Sequence, residues 1–298
     1  GKEIARLPEE SIEYAGTQAP SIPGTEKMVA FQGERGAFSE MAIYRYFDEE
    51  DTHPAPCTSF RDVFTDVLKQ KVRYGIIPIE NSLSGSIHEN YDLLLQYPDI
   101  KIVGEQKIRI VHNLIGLPGA EIEDIKKVFS HPQGFAQCAQ FLDTHAAWEK
   151  IPFYDTAGSI AYVAEQQNKA YAGIAGEEAA KFYKMKILKA GIETNPQNYT
   201  RFAVLAREEH HEIGKPNKAS LVFSTPDKPG ALYLTLKCLA EHNLNMKKLE
   251  SRPIPGKPWE YMFYVDVEVP EDLSPFEKAS EAMRRETDDF RILGLYKA

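Results

Sequence analysis

A chain of 298 residues is long enough for two domains, each with its own core. Hydrophobic residues at 43% and charged residues at 27% are ordinary for a globular protein, and a net charge of −9 without a Lys/Arg cluster argues against a nucleic-acid footprint. Three widely spaced cysteines fit reduced thiols, and the lack of an apolar run of about 18 residues or of a leader pattern predicts a soluble, intracellular protein with no membrane span.

Residues 1–27 are polar, with Pro20, Pro23 and Gly24 following Glu9, Glu10 and Glu13. They read as an extension outside the core, with a short helix expected near Pro8–Tyr14. From Met28 onward a unit recurs: an apolar strand, a turn of small polar residues, then an amphipathic helix. Met28–Phe31 runs into Gly33-Glu34-Arg35-Gly36 and a helix over about Phe38–Phe47. Ser59 and Asp62 stand at the N-cap and N3 positions of a helix over Phe60–Gln70. Tyr74–Ile79 is a buried strand leading to Glu80-Asn81-Ser82, and Ser86-Ile87-His88-Glu89 reads as a capping box. Lys127–Phe129 precedes Ser130-His131-Pro132-Gln133, where Pro132 suits a first helical turn, and Asp155-Thr156-Ala157 opens another helix. This alternation predicts an α/β fold with parallel strands.

Several of these turns present a helix start bearing Ser, Thr or Asn. Each start has unpaired N–H groups and a positive dipole end, so starts that converge would hold a small polyanion without a lysine patch. Taken singly, each hydroxyl is a cap for its own helix. The stretch Asn198-Tyr199-Thr200-Arg201-Phe202 then meets the apolar strand Ala203–Ala206 where a loop becomes a strand. Arg201 either makes a surface ion pair or offers its fork to a carboxylate, with the Thr200 hydroxyl beside it.

Residues 207–218 are charged, carry Gly214 and Pro216, and read as a linker. Beyond them the pattern changes to strand Leu221–Phe223, helix Pro229–Glu241, strand Met246–Ser251, strand Glu260–Val269, helix Pro275–Arg285 and strand Phe290–Leu295. That order, βαββαβ, is ferredoxin-like, and such a small one-sided sheet predicts pairing with a second copy. No dinucleotide fingerprint, P-loop, metal-ligand spacing or nucleophile elbow is present, which disfavours nucleotide, metal and covalent-acyl chemistry.

The runs Ala30–Gly33 with Ala37-Phe38-Ser39, Pro78–Ser82, Ser130–Gln133 with Gln137-Cys138, Asp155–Ala157 and Asn198–Phe202 together resemble the prephenate dehydratase family. Gly230-Ala231-Leu232-Tyr233 and Glu250-Ser251-Arg252-Pro253 resemble its regulatory ACT domain, and the stretch Ser82–His88 with Asn90-Tyr91-Asp92 is similar to the related arogenate dehydratases. The resemblance implies a catalytic domain over 28–206 with two lobes like those of periplasmic binding proteins, a linker over 207–218 and an ACT domain over 219–298. With only 27 residues before Met28, the chorismate mutase fused to some relatives is expected to be absent.

The resemblance further implies that prephenate, or arogenate with an amino group in place of the keto group, lies between the lobes and needs no cofactor. Carried over by position, Thr200 assists the departing hydroxide, Arg201 holds a substrate carboxylate, and Phe202 forms an apolar wall or packs in the core. Glu80, Asn81 and Ser82 would line one lobe; Ser130, Gln137 and Thr156 the other; Gln133, one helical turn before Gln137, could share that face. His131 carries no catalytic role. L-phenylalanine would bind the ACT domain through Gly230, Ala231, Leu232, Asn245, Glu250, Ser251 and Arg252, in a homodimer or homotetramer, in the cytoplasm or in the plastid stroma of a plant.

Overall fold

The computed structural model describes residues 27–47, 51–208, 214–254 and 256–298, so the helix expected near Pro8–Tyr14 lies outside the described residues. The first units follow the sequence closely. Strand β1 (Met28–Gln32), helix α1 (Phe38–Tyr46), β2 (His53–Cys57), α2 (Phe60–Leu68) and β3 (Tyr74–Asn81) come in order, then β4 (Gly85–Ser86), α3 (His88–Gln96) and β5 (Ile100–Arg109). Ser59 and Asp62 close a reciprocal capping box on α2, as their spacing predicts. The box expected at Ser86 does not form. The N-cap of α3 is Ile87 without a side-chain bond, and the Ser86 hydroxyl is engaged by Glu250 and Lys248.

After β5 the chain crosses into a second lobe. It holds β6 (Asn113–Gly116), β7 (Lys127–Ser130), α4 (Pro132–Gln137), α5 (Ala139–Asp143), β8 (Glu149–Pro152), α6 (Thr156–Gln166), β9 (Tyr171–Ala175), α7 (Glu177–Phe182) and β10 (Lys186–Lys189). Their sheet runs β10-β6-β9-β7-β8. The chain then crosses back as β11 (Tyr199–Arg207), which slots between β3 and β5 and completes the first sheet, β2-β1-β3-β11-β5. Strands pair in parallel only within β2-β1-β3 and β8-β7-β9; β11, β6 and β10 run antiparallel to their neighbours, so both sheets are mixed. The expectation of parallel strands is corrected here. A strand that returns from another lobe reaches its neighbours from the opposite direction, without a helical crossover to turn it.

The C-terminal unit comprises β12 (Lys218–Ser224), α8 (Ala231–Glu241), β13 (Met246–Pro253), β14 (Tyr261–Glu268), α9 (Ser274–Glu286) and β15 (Asp289–Tyr296), within a residue or two of the expected bounds except at the first strand. Its antiparallel sheet runs β13-β14-β12-β15, the ferredoxin-like order. One face carries α8 and α9 over a core that includes Leu221, Phe223, Leu239, Phe276 and Met283. The other face lies on the first lobe. There Val222, Met262, Tyr264, Leu293 and Tyr296 join Ile79, Tyr91, Ile100, Ile102, Ala203 and Leu205 in one buried cluster. Burial at about 25 cal/mol per Å² of apolar surface makes a shared cluster of this kind a firm attachment. Among the described residues no helix is long and apolar enough to cross a membrane.

Candidate active site

The middle of the first sheet sets the site. Cross-strand partners on β11 and β3 are Thr200 with Asn81 and Arg201 with Glu80, after which the register slips and Phe202 faces Pro78. Ile79 is the extra residue, a bulge of the kind that re-aims side chains at sheet ends. Because side chains alternate along a strand, the two pairs lie back to back. Asn81 and Thr200 share the face turned to the second lobe; Glu80 and Arg201 share the face turned to the C-terminal unit.

Asn81 is the organiser of the first face. Its Oδ1 accepts from the backbone N–H groups of Leu83 and Ser84, each at 3.0 Å. Only an oxygen can take that place, so Nδ2 points the other way, donating to Asn198 Oδ1 at 2.7 Å and to Thr200 Oγ1 at 3.0 Å. Asn198 is wholly buried, and with its oxygen occupied its Nδ2 is left as a buried donor without a protein partner. Ser82 holds the returning loop in place, donating to Gln197 O at 2.8 Å and accepting from Tyr199 N at 2.9 Å. Thr200 is nearly buried, and its oxygen already accepts a bond, so its own proton is free to be donated.

The second lobe closes over this face. Gln133 Nε2 donates to Ser84 Oγ at 3.0 Å, and the Tyr154 hydroxyl donates to Glu34 Oε1 at 3.2 Å. Gly36, at φ +85°, is so close to α7 that a Cβ would stand 2.5 Å from the Ala179 Cα. Phe38 lies edge-on to His112 at 5.5 Å and also meets Gly176. His112, on the first crossing between lobes, is paired through Nε2 to Gln137 Oε1 at 2.7 Å, while its Nδ1 is buried without a partner. Burial lowers the His112 pKa, with the Gln137 bond opposing only in part, so the ring is neutral. Ser130 is fully buried and donates to Ile174 O at 2.9 Å, serving the lobe's own core. Thr156 is the first residue of α6, whose cap is Asp155 bonding Gly158 N–H. Ser130 and Thr156 both flank Gly134, whose Cβ position lies 2.5 Å from Ser130 Oγ and 3.6 Å from Thr156 Cγ2. His131 caps α4 through Nδ1. The helix starts at α2, α4 and α6 thus use side chains to cap themselves, whereas α1 begins with no side-chain cap.

Two sequence expectations are corrected by this geometry, those for Arg201 and Glu80, and Phe202 takes the core packing that is one of its two readings. Arg201 does not offer its fork to the cleft. Its Nε and Nη2 donate to Glu80 Oε2 at 3.0 and 2.8 Å, and its Nη1 donates to Glu105 Oε2 at 2.9 Å and Asp266 Oδ2 at 2.7 Å. Glu80 shares that side, bound also by Lys248 at 3.0 Å, and so does not line the cleft. Phe202 is a core residue, packed with Phe31, Ile43, Ile76 and Val204 beneath α1. Asn198 and His112, by contrast, escape sequence reasoning. Asn198 sits within the recognised stretch, but nothing local separates its role from that of a loop residue, and His112 lies in no motif at all.

The expected effector residues do not form one cluster within the chain. Gly230 (φ 81°) starts α8 without a side-chain cap, Ala231 is buried, and Leu232 packs on the helix side of the sheet. Asn245 Nδ2 is bonded to Glu268 Oε2 at 2.8 Å. On β13 the alternate residues Lys248, Glu250 and Arg252 turn to the first lobe. Glu250 binds Ser86 and His88, and Arg252 grips both oxygens of Asp92 at 3.0 and 2.7 Å. Glu250 and Arg252 therefore face away from this chain's own α8, while Ser251 stays exposed on the strand.

Residues 29–210 match the family model for prephenate dehydratase. An arogenate dehydratase of Petunia hybrida is 38% identical over 288 residues, covering 92% of this chain and 72% of its own. A prephenate dehydratase of Methanocaldococcus jannaschii is 37% identical over 274 residues, covering 91% of this chain and 98% of its own. Among solved structures, a prephenate dehydratase of Arthrobacter aurescens in complex with L-Phe has a TM-score of 0.82 at 28% identity, covering 91% of this chain and 90% of its own. A structure described as GqqA, a novel type of quorum-quenching acylase, has a TM-score of 0.81 at 30% identity, covering 91% of this chain and 98% of its own.

Proposed function

The chain belongs to the prephenate dehydratase family, and on that premise we propose that its cleft converts prephenate to phenylpyruvate, with Thr200 assisting the hydroxide that leaves. The observation that carries this is the bond from Asn81 Nδ2 to Thr200 Oγ1 at 3.0 Å. An amide nitrogen can only donate, so the threonine oxygen accepts there and its O–H is directed elsewhere. Accepting a bond also polarises that O–H and makes it the better donor. In the reaction the ring C–O bond breaks toward oxygen. The C–C bond to the ring carboxylate breaks toward the ring, which becomes aromatic as carbon dioxide departs. Aromatisation supplies the driving force, so the residues' task is to stabilise charge growing on the leaving oxygen. A threonine hydroxyl is a weak acid; a pre-aligned hydrogen bond, strongest as that charge develops, suits it better than full proton transfer.

With Arg201 turned away, the nearest free donor for a substrate carboxylate is the unpaired Nδ2 of Asn198, which stands next to Asn81 and Thr200. Arogenate is the second reading, favoured by the 38% identity to a relative named for that substrate. Incubating the protein with each compound separately decides between them: phenylpyruvate from the first or phenylalanine from the second. Turnover of neither overturns the assignment.

The C-terminal unit we take as an ACT domain that binds L-phenylalanine and inhibits the cleft. Its βαββαβ order and the L-Phe complex of the Arthrobacter aurescens structure support this. β13 is an open edge with Met246 and Leu249 exposed, which suits pairing with a second copy in a homodimer or homotetramer. The free cysteines suit a reducing compartment, the cytoplasm or, as the name of an Arabidopsis thaliana relative has it, a chloroplast.

A further inference from the structure

On the far side of the Asn81–Thr200 pair, six charged side chains from six different strands converge. Glu80 (β3), Glu105 (β5) and Arg201 (β11) come from the first lobe; Lys218 (β12), Lys248 (β13) and Asp266 (β14) come from the C-terminal sheet. Arg201, Glu105, Asp266 and Lys218 retain only 9, 2, 8 and 10% side-chain exposure. Lys218 Nζ lies 2.6 Å from Glu105 Oε2 and 3.5 Å from Asp266 Oδ2, and Lys248 Nζ lies 3.0 Å from Glu80 Oε1. At the rim Lys107 Nζ approaches Glu105 Oε1 at 3.3 Å and Lys248 Nζ approaches Glu250 Oε2 at 3.1 Å, so each side is balanced within itself, and the buried Arg201–Asp266 and Lys218–Glu105 contacts tie one side to the other.

We infer that Arg201 is a positioning residue, and that through it the C-terminal sheet holds β3 and β11 in the register that brings Asn81 and Thr200 together. The argument is geometric. Arg201 and Thr200 are consecutive on β11, Glu80 and Asn81 are consecutive on β3, and each pair faces its counterpart across the same two strands at the bulge. A guanidinium saturated by three carboxylates of three strands fixes where its own Cα can sit, and Thr200 is one peptide unit away. In a low-dielectric joint an unbalanced charge cannot simply be left in place; the strands must shift until it is paired or wetted. The C-terminal unit is thereby part of the catalytic geometry even with no effector bound. This rests on the reading of Thr200 and Asn81 as the catalytic pair.

The test uses full-length protein with Asp266→Asn and Lys218→Met, neither of which reaches the cleft. Each single variant unbalances the joint, and the pair together restores neutrality. Because a displacement of about 1 Å costs on the order of 10²-fold in rate, a fractional shift of Thr200 should lower kcat by about 10-fold with KM changed less than about 2-fold. The double variant should recover most of kcat. Arg201→Lys should likewise lose kcat rather than raise KM. A folded Asp266→Asn with wild-type kcat, or an Arg201→Lys whose only change is a higher KM, overturns the inference; the latter would make Arg201 a substrate ligand. Should Asp266→Asn fail to fold, Lys248→Gln removes the cation from Glu80 Oε1 while sparing the Arg201–Asp266 contact. Hydrogen exchange gives a readout independent of turnover. The amides of Ser82 and Tyr199 should exchange faster in these variants while Val29 and Ala30 on β1 of the same lobe do not, whereas a merely destabilising change of that lobe would accelerate all of them alike. If the wild type turns over neither substrate, the functional reading falls, and the exchange pattern still decides the positioning role.

Discussion

Two side chains carry most of what can be tested residue by residue. Thr200→Ala removes the one hydroxyl that the Asn81 bond holds ready, and the expected result is a fall in kcat of about 10²–10⁴-fold with KM little changed. Steady-state kinetics check it, and a near-normal kcat with a raised KM would take Thr200 out of the chemistry. His112 answers to pH. Buried in the fold, its ring stays neutral below its ordinary 6.5; unfolded, it takes up a proton from about that value downward. The unfolded state then holds more protons, so stability falls as pH drops through about 6.5 and stops falling below the depressed folded value. Glu80 and Glu105 add a later loss. Burial raises their pKa values, but Arg201 with Lys248 or Lys218 outweighs it, so both stay ionised below 4.5 and their contribution vanishes only as pH falls through the lowered values. Urea melts at pH 7.5 and 5.5 should show a loss for wild type that is smaller in His112→Asn.

Among the elements, the approach of α7 to the Gly33–Gly36 turn governs closure. Gly36→Ala would place a methyl 2.5 Å from the Ala179 Cα and force a side chain onto a backbone at φ +85°. The strained conformation costs about 1–3 kcal/mol, and the lobes can relieve the clash by parting. The expected effect is a loss of kcat/KM of roughly 10-fold or more that exceeds the loss of stability, read by kinetics beside a melt. The elements themselves were readable where a local rule governs. Ser59 capped α2 as its spacing required, and the ferredoxin-like order followed from period and turn residues. They were unreadable where a distant partner decides. Ser86 gives up its capping role to Glu250, and β5, with Lys101, Glu105, Lys107 and Arg109 along it, lacks the apolar run of a strand although it pairs along its length with β11. Arg201 is the instructive miss, because the signal was present. Consecutive residues of a strand point to opposite faces, so Thr200 and Arg201 could not both have lined one cleft.

Taken whole, the molecule has its second lobe inserted within its first. The chain leaves the first sheet after Arg109 and returns to it at Tyr199, and β11 takes the place between β3 and β5. Until that strand arrives, β3 and β5 have no common neighbour, whereas the second lobe's sheet is complete once Lys189 has been reached. Pairings between residues 90 or more positions apart are slow to form, because the loop must close before contacts reward it. Pulsed hydrogen exchange during refolding should therefore protect Ile115, Gly173 and Ile174 before Ile76, Ile77 and Val204; simultaneous protection would show that the two lobes fold as one unit. The same order applies on the ribosome, where the chain emerges from its N-terminus. The newborn enzyme owns a finished second lobe and two open strand edges in the first, and it gains its reactive hydroxyl with the strand that seals them. A nascent chain stalled before Thr200 would thus be both inert and adhesive, a natural client for a chaperone at the very moment before it becomes a catalyst.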